Sequence, residues 1–579
     1  MPKLWLIDYL VMGCHLLLMV GVGFFFYRYV KSANDFFKSS NRLPWWVAGL
    51  SSFMSGFSAW TFTGGAGKIY ESGISGAAIL WSSSLAVLLS YFIFAKRWRR
   101  SRITTVMEFM SERYNRFTHQ FYSWIYVLMK WFIVGLQLLS TAIFISVAIG
   151  VDVRIVVVIA GMTMLSYSVL SGLWGVSTND TLQFIVVASV TMVAAPLSVH
   201  AVGGIGDFIA RVPEGFFKLG NDDVSLFFIF GWMLLMFYGN NSNATVQRYF
   251  SVRDERAARR VALTGAVLFF VGVSLWMIPS MAARILYPDL SDIVIGLKNP
   301  SEAAYVVMCI QVLPHGLIGV LLAAVFAATM SSLDSSYNVM AGVLVKDVYH
   351  RWIHPHASAK HLLLVSRLCI LLIGLSATLL ALFLTSHSGG VFGVMKDISQ
   401  VITVPVATAL LLGLIVRKTP PWTAVFSFVL TFFVAYTTRY VYDLHLGYQA
   451  LAVVGTSISS FTVMRLFWNR APKADRDRIE GFFQKLDTPI DTEKELSEPV
   501  AADAVSMLQV VGVLLCAVGL IIVVPIIFLK EWSSIFIALG EGAFLIGLGS
   551  FMFLRGRKRK IQVLTAEAGS RDRGDSQEH

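Results

Sequence analysis

Five small or polar residues, Ala328, Ser331, Ser335, Asn338 and Gly342, recur at steps of three and four in the run ATMSSLDSSYNVMAGVLVKDVY. On an α-helix that spacing places them on one face. Hydroxyls arrayed in this way, opposite carbonyls freed by an unwound helix, supply the oxygen cage that suits a hard monovalent cation. Asp334 lies beside the stripe, inside an otherwise apolar stretch. A carboxylate there is expensive and is read first as functional. Asp180, in GLWGVSTNDTLQF, has two readings. It caps a helix start together with Thr178 and Asn179, or it coordinates a cation. Lys130 and the Lys396–Asp397 pair are further charges within apolar runs. A lysine in such a place binds a carboxylate, neutralises an acid or snorkels to the membrane surface.

The elements that must hold these residues are membrane helices. The chain has 579 residues, 56% of them hydrophobic and 14% charged, against about 45–50% and about 25% in soluble domains. That composition excludes a disordered chain, a coiled coil, a collagen and a disulfide scaffold, and leaves an all-α polytopic membrane protein. Windows of about 20 apolar residues predict spans near 4–28, 43–70, 75–95, 119–148, 153–172, 179–202, 225–248, 260–286, 304–345, 362–386, 391–416, 420–442, 447–468, 505–529 and 533–554. The first is expected to be a retained helix, because neither a basic lead nor a small-residue cleavage site flanks it.

Charge assigns the sides. Lys and Arg concentrate in alternate connections, 28–42, 96–118, 248–260, 346–367, 417–421, 465–504 and 555–579. The other alternate set holds only Lys3, Lys68, Arg154, Arg211, Lys218, Arg284, Lys298, Arg439 and Lys530. Basic residues favour the cytoplasmic face, so the N-terminus is expected outside, the C-terminus inside and the number of spans odd. The net charge of +12 is then mainly a topology label, and nucleic acid is not an expected partner. Residues 469–504 read as a charged cytoplasmic linker and 555–579 as a disordered tail beside anionic lipid. Cys14, Cys309, Cys369 and Cys516 show no metal spacing and read as small apolar residues.

Two spans are not plain apolar helices. One reads LSSFMSGFSAWTFTGGAG from Leu50, and the other MFYGNNSNATVQR from Met236. Irregular backbone at membrane depth persists only where it lines a protein-enclosed or wet cavity. Breaks at corresponding places in two halves point to a transporter's binding site. These two fall in the second and seventh spans, five apart, as an inverted five-plus-five repeat requires.

The run MSSLDSSYNVMAGVLVKDVYHR resembles the signature of the sodium/solute symporter family. SSFMSGFSAW, GLWGVSTNDTLQ, NNSNATVQRYFSVRDERAARR and MKDISQVITVPVATALLLGL are similar to further stretches of that family, in order across residues 4–468. The resemblance implies a leucine-transporter-type fold: one extra helix over 1–28, a ten-helix core over 43–416 with repeats near 43–202 and 225–416, a pair over 417–468 and a last pair over 505–554. It implies a main sodium site of the Ser51, Met54 and Ala328 carbonyls with the Ser331 and Ser332 hydroxyls. A second cation site, present in some members, falls on Asp180, Asp334 and Ser335. The solute pocket falls on Phe57, Trp60, Thr61, Thr63, Lys130, Gln137, Ser242, Asn243, Asp397 and Gln400.

The function this implies is sodium-coupled import of a small organic solute by alternating access, with Lys130 admitting a carboxylated one. The alternatives are a membrane-embedded solute sensor and a proton-coupled or uncoupled carrier on the same fold. An enzyme is not expected, since no phosphate loop, metalloprotease helix or serine elbow is present. The expected setting is the plasma membrane, with lipid as a partner. The Asn-x-Ser/Thr triplets at Asn179 and Asn243 fall in expected spans or on the cytoplasmic side, which favours a bacterial inner membrane.

Overall fold

In a computed structural model of the chain, the described residues are 4–27, 43–103, 105–168, 173–242, 244–294, 297–386, 390–495, 501–529 and 531–575. All regular structure among them is helical. The first helix, α1 (Leu6–Tyr27), is fastened to the bundle by a buried acid at its start. Asp8 accepts hydrogen bonds from the Gly316 N–H at 2.5 Å and from His315 Nδ1 at 2.8 Å, and Trp5 stacks on the His315 ring.

The second span is divided, as the Gly and Ser content predicts. α2 (Trp45–Gly56) stops where Phe57 takes extended backbone, and a π-helical turn over Thr61–Gly65 leads into α3 (Ala66–Ser72). Gly73, at φ +56°, turns the chain into α4 (Ile74–Phe92); a Cβ there would lie 2.2 Å from the Phe216 carbonyl oxygen. Short amphipathic α5 (Ala95–Arg100) and α6 (Val106–Arg113) precede α7 (Arg116–Ile149), whose start is capped by Asn115. α8 (Val153–Ser168) and α9 (Leu173–Val202) complete the first half.

The second divided span comprises α10 (Leu226–Asn240) and α11 (Ala244–Phe250). α12 (Glu255–Leu286) follows, capped by Asp254. The span expected over 304–345 is two helices, α13 (Ala304–Val312) and α14 (Leu317–Val343). The apolar run is continuous in sequence, but Pro314 and Gly316 turn the chain between them. The most apolar window of α14 is wholly buried, so this helix forms the centre of the bundle. α15 (Ala359–Leu384), α16 (Gly390–Ile398), a π-helical turn over Ser399–Thr403 and α17 (Val404–Ile415) finish the core. α18 (Thr423–Tyr436) and α19 (Leu446–Met464) pack outside it.

Among the described residues, ten helices are long and apolar enough to cross a membrane. The other five positions of the expected fifteen hold shorter apolar helices (Leu6–Met19, Val153–Ser166, Leu226–Asn240, Leu508–Val523) and the divided Trp45–Ser72 segment. Length and composition therefore give ten candidate spans among the described residues, not fifteen.

The segment expected to be a charged linker is folded onto the bundle. α20 (Lys473–Asp487) buries Ile479, Phe482, Phe483 and Leu486, an apolar stripe hidden in a charged sequence. Its C-terminal carbonyls meet Arg100 and Arg102: Arg102 donates to the carbonyls of Lys485 at 3.0 Å and Pro489 at 3.0 Å, and forks onto both Glu495 oxygens at 2.8 and 2.9 Å. Glu255 accepts Arg100 Nε at 2.6 Å and the Ile490 N–H at 3.1 Å. Arg102 holds φ 57°, a conformation that costs about 1–3 kcal/mol outside glycine, so these bonds must outweigh it. The last pair is α21 (Ala501–Val523) and α22 (Trp532–Asp575); α22 runs on through the tail expected to be disordered. Strong helix formers such as Arg, Lys, Gln and Ala extend a helix already nucleated in the apolar part.

Arg102→Ala should raise amide exchange across residues 484–495 about tenfold or more and leave α14 unchanged. Unaltered exchange would show that the buried Phe482 and Phe483 hold the segment alone.

Candidate functional site

The first break exposes backbone groups that the sequence must satisfy locally. The Phe57 N–H turns back onto the Met54 carbonyl at 3.1 Å, Ser55 Oγ donates to the Ser51 carbonyl at 2.7 Å, and the Ala59 N–H donates to Thr329 Oγ1 at 3.1 Å. Thr329 stands on α14, so the broken helix and the central helix complete one another. At the second break Asn241 donates to the carbonyls of Ala86 and Phe237, and Ser242 to that of Tyr238.

Asp180, near the start of the long apolar part of α9, draws these elements together. It is 1% exposed and accepts short hydrogen bonds from the hydroxyls of Ser51 on α2 and Ser331 on α14. Arg248 on α11, 2% exposed, lies 3.5 Å from the carboxylate and donates to Ser51 Oγ at 2.8 Å and Ser55 Oγ at 3.0 Å. Asp180 is thus a shared acceptor and not the helix cap that its position equally allowed. The charge-based reading placed Arg248 in a cytoplasmic connection; instead it enters the protein, one turn into the helix after the second break. That position, immediately after an interrupted span, is the signal the sequence carried. Ser55 and Thr329 were also missed, although both flank the expected ligands.

The remaining cation candidates are Met54 on α2 and four residues of α14. Ser332 exchanges hydrogen bonds with the Gln137 side chain of α7 at 3.1 and 3.3 Å. Met54 and Ala328 are buried at 1% exposure. Asp334 is fully buried and accepts from Asn338 Nδ2 at 3.2 Å, while neighbouring Ser335 is half-buried. No group of three or more His, Cys, Asp or Glu is placed to hold a metal among the described residues. The arrangement offers hydroxyls, carbonyls and single carboxylates, the donors a monovalent hard ion takes.

The expected solute residues divide. Phe57 is packed into an aromatic cluster with Phe53, Phe62 and Trp276. Thr63 and Ser242 bond back to their own helices. Asp397 is paired with Arg439 at 2.8 Å, and Arg439 also holds Asp443, so Asp397 reads as part of a structural ion pair. Asn243 lies outside the described residues.

Four others present chemistry without a protein partner or with one they can release. Among the described residues neither side-chain amide atom of Gln400, buried in the π-helical turn, has a hydrogen-bond partner, and the buried Trp60 Nε1 has none either. Lys130, 6% exposed, lies beside Tyr126, and no carboxylate pairs with it among the described residues. Among the described residues the Gln137 side chain is held only by Ser332. Thr403 Oγ1, at the end of that turn, approaches the sulfur of Met129 next to Lys130, so the turn bearing Gln400 packs against α7. Thr61 is half-buried.

Divided helices about a polar centre at mid-bundle define a secondary transporter. Residues 36–430 match the Sodium:solute symporter family, and the chain belongs to that family. It is 24% identical over 511 residues to the sodium/glucose cotransporter 1 of Oryctolagus cuniculus, covering 77% of this chain and 76% of that protein. It is 27% identical over 454 residues to the sodium/myo-inositol cotransporter 2 of Homo sapiens, covering 71% and 66%. The fold is shared with a Na+-coupled sialic acid symporter in a substrate-bound outward-open state, at a TM-score of 0.69 and 21% identity over 80% of this chain and 98% of that one. A nucleobase-cation-symport-1 family transporter superposes at a TM-score of 0.54. The fold is accordingly of the leucine-transporter type, the protein is a multi-pass membrane transporter and not an enzyme, and sodium is its coupling ion.

Removing Arg248 alone leaves a buried carboxylate uncompensated, which costs about 3–5 kcal/mol. Arg248→Ala should therefore lower the thermal unfolding midpoint of the detergent-solubilised protein, and adding Asp180→Asn should restore part of it. A single variant as stable as the parent would show that the pair compensates nothing.

Proposed function

We propose that the chain imports a small organic solute with sodium held where α2 meets α14, by the carbonyls of Ser51, Met54 and Ala328 and the hydroxyls of Ser331 and Ser332. The observation that carries this reading is the convergence of Ser51 and Ser331 on Asp180, which brings the broken helix within bonding reach of the central one. Each of these ligands has a partner in the protein: the Ala328 carbonyl lies within the helical ladder of α14, and Ser55 bonds the Ser51 carbonyl, Phe57 that of Met54, Asp180 Ser331 and Gln137 Ser332. A sodium ion exchanges such bonds one for one, so little is lost when it enters or leaves.

The Ser332–Gln137 bond supplies the coupling. When sodium takes the Ser332 oxygen, Gln137 is released toward the solute. The solute then meets Gln137, Gln400, Trp60 and Thr61, and Lys130 favours one with a carboxylate, since an unpaired ammonium buried beside Tyr126 gains most from an anion. A second cation site at Asp180, Asp334 and Ser335 fills only when Arg248 withdraws, because the guanidinium already neutralises Asp180. The core so used spans 43–416, its basic connections face the cytoplasm, the N-terminus lies outside, and the membrane is a plasma membrane of bacterial type.

The driving force is adequate. One charge gains about 2.3 kcal/mol per 100 mV, and a tenfold gradient adds about 1.4 kcal/mol. Together they support roughly 500-fold accumulation of a neutral solute per sodium.

In proteoliposomes offered a solute panel, the Ser331→Ala, Ser332→Ala double variant should lose sodium-dependent uptake. Normal sodium activation in it would refute the site. Lys130→Ala should lower uptake of carboxylated solutes about 10- to 100-fold and leave neutral ones unchanged, and an equal loss for both would remove Lys130 from the pocket.

A further inference from the structure

Glu302 is a second buried carboxylate, 6% exposed, in a 3₁₀ turn (Pro300–Ala303) just ahead of α13. Neither the cation ligands nor the solute residues include it. Its Oε1 accepts the Val391 N–H at 2.6 Å and the Phe392 N–H at 3.4 Å, amides of the first turn of α16. Gly390, at φ +60°, permits this approach: a Cβ there would lie 2.5 Å from that oxygen and 2.2 Å from Asn299 Nδ2.

The turn so held carries Phe392, whose ring stacks on Trp232 of α10 at 5.2 Å and on Trp60 at 6.3 Å. Lys68 Nζ lies 5.7 Å from the same ring, and the backbone of Gly64 is close enough that a Cβ would meet the Phe392 nitrogen at 3.1 Å. Three rings, from the restarted first broken helix, the second broken helix and α16, therefore stack together. Trp60 is also one of the residues of the proposed solute site, so the stack adjoins it.

We infer that Glu302 is a positioning residue for closure at this stack, its carboxylate fixing the first turn of α16 so that Phe392 bridges Trp60 and Trp232. The inference rests on the solute site proposed above. An opened gate returns the carboxylate to water, and a closed one buries it, so closing is linked to the proton.

The groups around Glu302 fix the sign. Glu71 on α3 faces it, itself held by Lys68 at 2.5 Å and Ser301 at 2.7 Å. Lys298 donates to the Ser386 carbonyl instead. α7 offers apolar Leu139 and Ile143, Val153 is the first residue of α8, and all three line a cavity of about 40 Å³ beside Glu302 and Asn299. α13 contributes Tyr305, whose hydroxyl engages Thr191. Burial pushes the Glu302 carboxyl up from 4.5 to about 7, Glu71 adds to the rise, and the Val391 and Phe392 amides oppose it. A value raised in the closed form means that closing takes up a proton. The contribution to closure is full below about 4.5 and is lost as pH rises through about 7.

The test is amide exchange of the full chain in proteoliposomes between pH 5.5 and 8, corrected for intrinsic rates and read on peptides covering 390–396 and α14. Protection of 390–396 in the parent should fall as pH rises. Glu302→Gln, which keeps an acceptor oxygen without the charge, should stay protected at every pH. Glu302→Ala should exchange about tenfold faster or more, independently of pH, with α14 unaffected. A parent profile without pH dependence, or Glu302→Ala exchanging like the parent, overturns the inference, and so does a loss of protection that spreads equally to α14. None of these readouts depends on sodium activation, so failure here is separable from failure of the sodium site.

Discussion

A charge buried among helices must be compensated where it stands, and Asp180 is the charge on which this bundle turns. Its two oxygens are shared among a hydroxyl of the first broken helix, a hydroxyl of the central helix and the guanidinium that follows the second break. None of these three elements is neighbour to another in sequence. The carboxylate therefore joins three helices distant in the chain. Arg248 serves as an internal cation there, so in the proposed scheme an external ion at Asp180 would exchange with the guanidinium.

The two ends of the core are held differently. Around Asp180 the bonds are between hydroxyl and guanidinium side chains, Ser51, Ser55, Ser331 and Arg248, each of which can take another partner by rotating. At the other end, the inferred closure rests on ring stacking and close backbone approach, with Gly390 admitting a contact that a Cβ would block and Gly64 one that a Cβ would crowd. Rotating hydroxyls suit a site that exchanges partners with an ion, whereas a stack of rings suits a seal against water. Outside the core, the segment around α20 ties the loops at Arg100, Arg102, Glu255 and Arg417 together through exposed and half-buried pairs. Pairs of this kind weaken with salt.

Much of this was legible in the sequence, because a membrane helix has few ways to hide a polar residue. The Ser, Gly and Asn clusters at 51–65 and 239–242 pointed to breaks, and the stripe through Ser331 to a polar facing surface, with close helix packing as the alternative in each case. What stayed hidden depended on partners distant in the chain. Arg248 looks like any basic residue at the end of a span until Asp180 is seen beside it. Asp397 looks like a pocket acid until Arg439 is found to hold it. Glu302 lies at the edge of an apolar run, and its role follows only from where Gly390 brings α16. The turn that divides 304–345 was masked by continuous hydropathy, and α20 by its surplus of charge over an apolar stripe of four residues.

The sharing of Asp180 between protein hydroxyls and a cation is the central claim, and the sodium dependence of initial uptake by Asp180→Asn proteoliposomes tests it most directly. The amide keeps the shape and loses the charge. Half-maximal sodium should rise about tenfold or more in the folded fraction of the variant, whose stability falls because Arg248 loses its counter-charge. A sodium activation curve superimposable on that of the parent would contradict the claim.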